Sequence, residues 1–148
     1  MKRILLTVLA ALVVAPLAVI GIELASEPQE AHAAVPVADA AAQVARGAYL
    51  ARAGNCMACH TARGGKEYAG GRAIETPFGS IHAPNVTQDM ETGIGSWTQD
   101  DFWRAIHNGK SKNGDFLYPA FPYPNYTKVT RADSDALFAF FKTIPAVR

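Results

Sequence analysis

Cys56-Met57-Ala58-Cys59-His60 is the stretch on which the rest of the chain is read. Two thiols three residues apart lie about one helical turn from each other, so both reach the vinyl groups along one edge of a porphyrin. The adjacent imidazole then falls beneath the iron. All three residues serve one cofactor, a single covalently bound haem c: Cys56 and Cys59 are its thioether anchors, and His60 is the proximal axial ligand to iron. Other uses of a close Cys pair fit less well. These are the only two cysteines, and neither a second pair nor a His-x-His pair exists to complete four zinc ligands. A thioredoxin-like dithiol needs a β-α-β context, and no strand pattern is visible.

Upstream of the motif, Val44, Tyr49 and Leu50, with Ala45, Ala48 and Ala51 between them, predict a helix stopped at Gly54 in a left-handed cap. Downstream, residues 64–80 hold Gly64, Gly65, Gly70, Gly71, Pro77 and Gly79, and read as loop wrapped on the haem. Thr98 with Asp101 three residues on is a capping-box signature, which predicts a helix from Gln99 to about His107, ended by Asn108-Gly109. Residues 110–126 contain Gly114, Pro119, Pro122 and Pro124, which exclude a regular element and predict a second long loop. Thr130 with Asp133 opens a last helix that runs to Thr143 before Pro145 and carries Leu137, Phe138, Phe140 and Phe141. The fold class is therefore all-α, with about three main helices and long Gly/Pro-rich loops around one haem. An exposed porphyrin would be a large apolar patch, so the helices and loops must bury it. Gly47 is the candidate small residue where the first helix crosses the Phe138/Phe141 face. Tyr68, Arg72 and Trp97 are candidates to meet the haem propionates, although a packed Trp or an exposed Arg explains them equally.

The N-terminus sets the compartment. Lys2 and Arg3 precede residues 4–22, bounded by Ile4 and Ile22, a run of 19 residues without a charge. That is long enough to span a bilayer as an uncleaved anchor, while Pro16 and the small residues of Ala31-His32-Ala33 suit a cleaved signal. Either way the remainder faces the periplasmic side of a bacterial inner membrane. The expected domains are a signal or signal anchor over 1–33, a linker over 34–42 and the haem domain over 43–148. A formal charge of +1 with no dense basic stripe excludes nucleic acid as a partner.

Further blocks carry a resemblance. Tyr68-Ala69-Gly70-Gly71-Arg72, Thr76-Pro77-Phe78-Gly79, Asn85-Val86-Thr87, Glu91-Thr92-Gly93-Ile94-Gly95-Ser96-Trp97 and Leu117-Tyr118-Pro119-Ala120-Phe121-Pro122-Tyr123, together with the cysteine motif, resemble the cytochrome c subunits of membrane-bound bacterial dehydrogenases. That group includes subunits serving alcohol, gluconate and nicotinate dehydrogenases, and the match runs from Val44 to Val147. The resemblance implies the class I cytochrome c fold. It also implies a non-enzymatic role, passing electrons from a dehydrogenase catalytic subunit to a quinone or cytochrome acceptor. The chain departs from the pattern at one position: many members carry there a Met that ligates iron, and here it is Phe121. The remaining distal candidates are His82, His107 and Met90, or no protein ligand at all. Each has a plain alternative: His82 as a surface residue, His107 as a cation at a helix C-terminus, Met90 as part of a solvated turn. Because members often carry further haem domains, this chain reads as a shortened form. A five-coordinate haem protein that binds a small ligand, as sensor or peroxidase with His82 as acid-base group, is the competing class.

Overall fold

The computed structural model describes residues 2–25 and 39–148. The chain divides into two compact units, Met1–Ala34 and Val35–Arg148. In the first, helix α1 (Lys2–Ala25) contains Pro16 and is long and apolar enough over Lys2–Ile22 to cross a membrane. The Ala31-His32-Ala33 cleavage signal and most of the expected linker lie outside the described residues.

The second unit holds α2 (Ala40–Ala53), α3 (Cys56–His60), β1 (Ala73–Thr76), β2 (Gly79–His82), α4 (Gln99–Asn108), α5 (Tyr123–Tyr126) and α6 (Arg131–Phe141). Helix α2 starts at Ala40 because Asp39, in extended backbone, accepts the amides of Ala41 and Ala42. It packs against α6 through Gly47: a Cβ there would stand 2.6 Å from the Ala136 carbonyl carbon and 2.8 Å from Phe140 Cβ. The crossing thus falls on Ala136 and Phe140, one step around the helix from the Phe138/Phe141 face expected of it. Phe138 and Phe141 instead turn inward, where with Ala51, Tyr68, Ile94, Phe102 and Leu137 they make the core. Phe102 of α4 packs on both rings, at centroid distances of 5.4 and 5.8 Å.

The capping box of α4 is complete. Thr98 Oγ1 accepts the Asp101 amide, Asp101 Oδ2 accepts the Thr98 amide, and Gly109 closes the helix in the left-handed region at φ 65°. The cap of α6 is simpler, with Thr130 Oγ1 accepting the Asp133 amide.

Three further expectations need correction. Residues 64–80 are not all loop, since β1 and β2 pair antiparallel with Ile74 opposite Ile81 and Thr76 opposite Gly79. The breakers Pro77 and Gly79 build the hairpin turn, in which Thr76 Oγ1 donates to Gly79 O and accepts the Phe78 amide. Residues 110–126 end in a single helical turn, α5, which tolerates Pro because its first N–H groups need no intrahelical partner. At the end of α2 the left-handed residue is Asn55 (φ 54°), with Gly54 remaining right-handed; Asn occupies that region more readily than other side chains.

Candidate haem site

Cys56, Cys59 and His60 lie on the single turn of α3, and both thiols are free, Cys56 half-buried and Cys59 exposed. A spacing of three residues puts both side chains on one face of that turn. Burial pushes the Cys56 thiol up, its own backbone opposing and the neighbouring Cys59 adding to the rise.

His60 is aimed by one contact. Its Nδ1 lies 2.8 Å from Pro84 O. A carbonyl can only accept, so Nδ1 carries the proton and the neutral ring keeps its lone pair on Nε2, the form that binds a metal. Burial holds the imidazole below its ordinary range while the Pro84 bond works the other way, and the net effect favours the neutral ligand form.

Pro84 O is itself placed by backbone lacing. Gly70 N donates to His60 O, Ala62 N to Gly70 O, Gly71 N to Ala83 O, Ala83 N to Arg72 O and Val86 N to Tyr68 O, all at 2.8–3.1 Å. Three passes of chain therefore lie side by side, one bearing His60 and one its orienting carbonyl. Gly70 permits the approach: at φ 77° it would put a Cβ 2.6–2.7 Å from Ala83 O, the Pro84 carbonyl carbon and Asn85 N. Asn85 and Thr87 anchor the far end. The Asn85 amide donates to Val147 O and Thr92 Oγ1, and the fully buried Thr87 hydroxyl accepts the Val147 amide.

The donor set fits a haem c: two free thiols on one turn, and an imidazole with one nitrogen engaged and the other left for iron. Pro84 and Gly70 escaped the sequence reading as contributors. The Gly70-Gly71 pair was a signal for close backbone approach, but nothing in sequence says which chain approaches.

The distal candidates are dispersed. His82 ends β2 and is exposed. Met90 is 67% exposed on the 85–97 loop. His107 stacks on Trp103, one turn back on α4, at a centroid distance of 4.2 Å, and its Nδ1 is buried without a hydrogen-bond partner. Phe121 stacks on Tyr126 at 5.1 Å, and the Tyr126 hydroxyl donates to Gly54 O, two residues before Cys56. Of the propionate candidates, Tyr68 is a core residue at 5% exposure, edge-on to Phe140 and Phe141. Trp97 packs against the same core, and Arg72 is exposed.

The family model described as cytochrome c matches residues 44–145. The chain is 53% identical over 100 residues to the gluconate 2-dehydrogenase cytochrome c subunit of Pantoea cypripedii, covering 68% of this chain and 23% of that one. It is 48% identical over 111 residues to the cytochrome c subunit of the quinone alcohol dehydrogenase of Gluconacetobacter polyoxogenes, covering 75% and 24%. A nicotinate dehydrogenase subunit of Pseudomonas putida is 47% identical over 108 residues, covering 73% and 9%. The chain thus spans about a quarter or less of the length of these relatives.

Proposed function

The chain belongs to the cytochrome c family, and from that premise we propose that it is a single-haem electron carrier or electron-transfer subunit. On this reading it takes electrons one at a time from a dehydrogenase catalytic subunit and passes them to a quinone or cytochrome acceptor on the periplasmic side. Residues 43–148 form the haem domain, and α1 serves as signal or anchor. The relatives' names support a dehydrogenase partner, since they are cytochrome c subunits of gluconate and alcohol dehydrogenases.

Cys56 and Cys59 hold the haem covalently and His60 ligates its iron. Bound there, the haem supplies reversible one-electron chemistry. The chain's own residues supply rigidity. The observation that carries the reading is the His60 Nδ1 to Pro84 O contact at 2.8 Å, which selects the tautomer and fixes the ring plane of the ligand. A ligand already fixed before electron transfer has little to rearrange during it. The laced segments behind Pro84 hold that orientation, and the aromatic core of α2, α4 and α6 backs the site on an apolar floor.

The test is the absorption spectrum of the purified, haem-loaded protein in ferric and ferrous states, with and without carbon monoxide, beside the variants Cys56→Ser and Cys59→Ser. The carrier reading expects a covalent haem that survives denaturation in the parent and loses one thioether in each variant. It also expects a low-spin ferrous spectrum untouched by carbon monoxide. Rapid carbon monoxide binding to a high-spin ferrous haem would overturn the carrier assignment, and a haem extractable from the parent would overturn the attachment.

A further inference from the structure

A side chain from residues 110–126 reaches the attachment segment. Tyr126 lies on α5, and its hydroxyl donates to Gly54 O at 3.1 Å. The face of its ring is stacked on Phe121, at 5.1 Å between centroids and 29° between planes. Gly54 is the residue between the end of α2 and the left-handed Asn55 that leads into Cys56. A Cβ on Gly54 would stand 3.5 Å from both Tyr126 Oη and Cys56 Sγ and 3.3 Å from Leu50 O. The phenol thus sits beside the first cysteine, and both lie within ordinary contact distance of a Cβ at Gly54. Burial pushes the Tyr126 phenol up, with Cys56 and then Cys59 adding to it.

The two ends of this connection matter for different reasons. Gly54 O belongs to the peptide that delivers the haem anchors. Phe121 occupies the position at which the family resemblance puts an iron ligand, but its ring has no donor atom, so no iron bond at that position can tether it to the cofactor. A tether that does not run through the iron is what the chain offers instead. The phenol bond and the ring stack join the Phe121 segment to the attachment turn at a cost of one ordered side chain.

We propose that Tyr126 is a positioning residue, a latch that holds the Phe121-bearing segment against the haem-attachment turn and so limits access of solvent and small ligands to the haem. This rests on the haem assignment above for its effect on access, whereas the latch itself is a property of the polypeptide.

The experiment compares parent protein, Tyr126→Phe and Phe121→Leu, all haem-loaded, in two measurements. Amide hydrogen exchange follows residues 117–126, and stopped-flow mixing with imidazole follows ligand entry to the ferric haem. Tyr126→Phe keeps the ring stack and loses only the hydrogen bond to Gly54, so exchange over 117–126 accelerates about fivefold while the amides of α2 and α6 keep their protection. Imidazole entry accelerates by a similar factor. Phe121→Leu keeps the hydrogen bond and removes the stack, and shows the same pattern with a smaller acceleration. Unchanged exchange over 117–126 in Tyr126→Phe would overturn the latch, and so would faster exchange spread evenly over the domain, which marks general loosening. A parent protein that carries no covalent haem would sink the electron-carrier reading, yet the exchange comparison would still decide the latch.

Discussion

The two stretches that meet the segment bearing Cys56, Cys59 and His60 are held in different ways. Residues 60–86 are laced by backbone hydrogen bonds between three adjacent passes of chain, with Gly70 in a position no other residue fits. Residues 110–126 fold back on themselves through local backbone bonds, among them Ser111 N to Asp115 O, Leu117 N to Gly109 O and Phe121 N to Tyr118 O, and reach the Cys56 segment by side chain, through the Tyr126 phenol on which Phe121 stacks. Backbone lacing specifies a geometry whatever the side chains are, provided glycine stays where passes touch. Side-chain contacts leave the geometry open to substitution. The orientation of His60, the proposed proximal ligand, is thus built into the chain path, while the link from residues 110–126 to the Cys56 segment rests on the identity of a few side chains.

The comparison is tested most severely by two glycines, both in the left-handed region. Gly70 (φ 77°) has backbone atoms 2.6–2.7 Å from its absent Cβ, whereas Gly114 (φ 88°) in the other stretch has nothing within 4 Å. Alanine at either position carries left-handed strain of about 1 kcal/mol, and at Gly70 it also forces the passes apart, adding about 1–3 kcal/mol. Denaturant unfolding of Gly70→Ala is expected to show a loss of about 3 kcal/mol, and of Gly114→Ala about 1 kcal/mol. Equal losses would mean that the lacing around Pro84 yields easily, and the asymmetry would be withdrawn.

Phe121→Met sharpens the contrast from the other side. If residues 110–126 leave their ligand character to single side chains, a thioether at position 121 suffices to install Met ligation. The haem-loaded variant is expected to gain a methionine–iron charge-transfer band and a higher reduction potential, by on the order of 0.1 V. An unchanged spectrum and potential would show that the Phe121–Tyr126 stack holds this segment away from the iron.

The same contrast explains what was legible in the sequence. Cys56, Cys59 and His60 are local, their meaning lying in spacing alone. The caps at Thr98 and Thr130 were readable because hydroxyl and amide sit three residues apart on one chain. The β1–β2 hairpin was hidden because its strands are four residues each and its Gly and Pro count equally as loop signals. Pro84 as the orienting acceptor was out of reach, since its role depends on a pass of chain 24 residues away. Residue preference assigns the left-handed cap to Gly54, and Asn55 takes it because the asparagine side chain tolerates that region.

Helix α4 leads into the second stretch, and its start is set by electrostatics. Burial raises the Asp101 carboxyl, but the Thr98 amide and hydroxyl and the Arg104 guanidinium, at 2.6–2.9 Å, outweigh it and hold the group below the usual carboxylate range. A folded-state value below the unfolded one means stability that is present above about pH 4 and lost as pH falls through the folded value. Asp101→Asn is expected to lower unfolding free energy by about 1 kcal/mol at neutral pH, with the difference from the parent shrinking as pH drops below about 4. A deficit that persists unchanged in acid would mean that the carboxylate charge is not what anchors α4.

The smallest effect is expected where the laced stretch meets solvent. His82 and Met90 are exposed, on β2 and on the 85–97 loop, which is the setting of solvated surface residues. His82→Gln and Met90→Leu are therefore expected to leave the haem spectrum and potential unchanged and stability within about 0.5 kcal/mol. Loss of a low-spin spectrum in either variant would identify the sixth ligand, and would show that the stretch with the more rigid backbone also supplies the second ligand. The division of labour between the two stretches would then be reversed. Ligand identity would follow the hairpin and the 85–97 loop, and Phe121 would be only a wall.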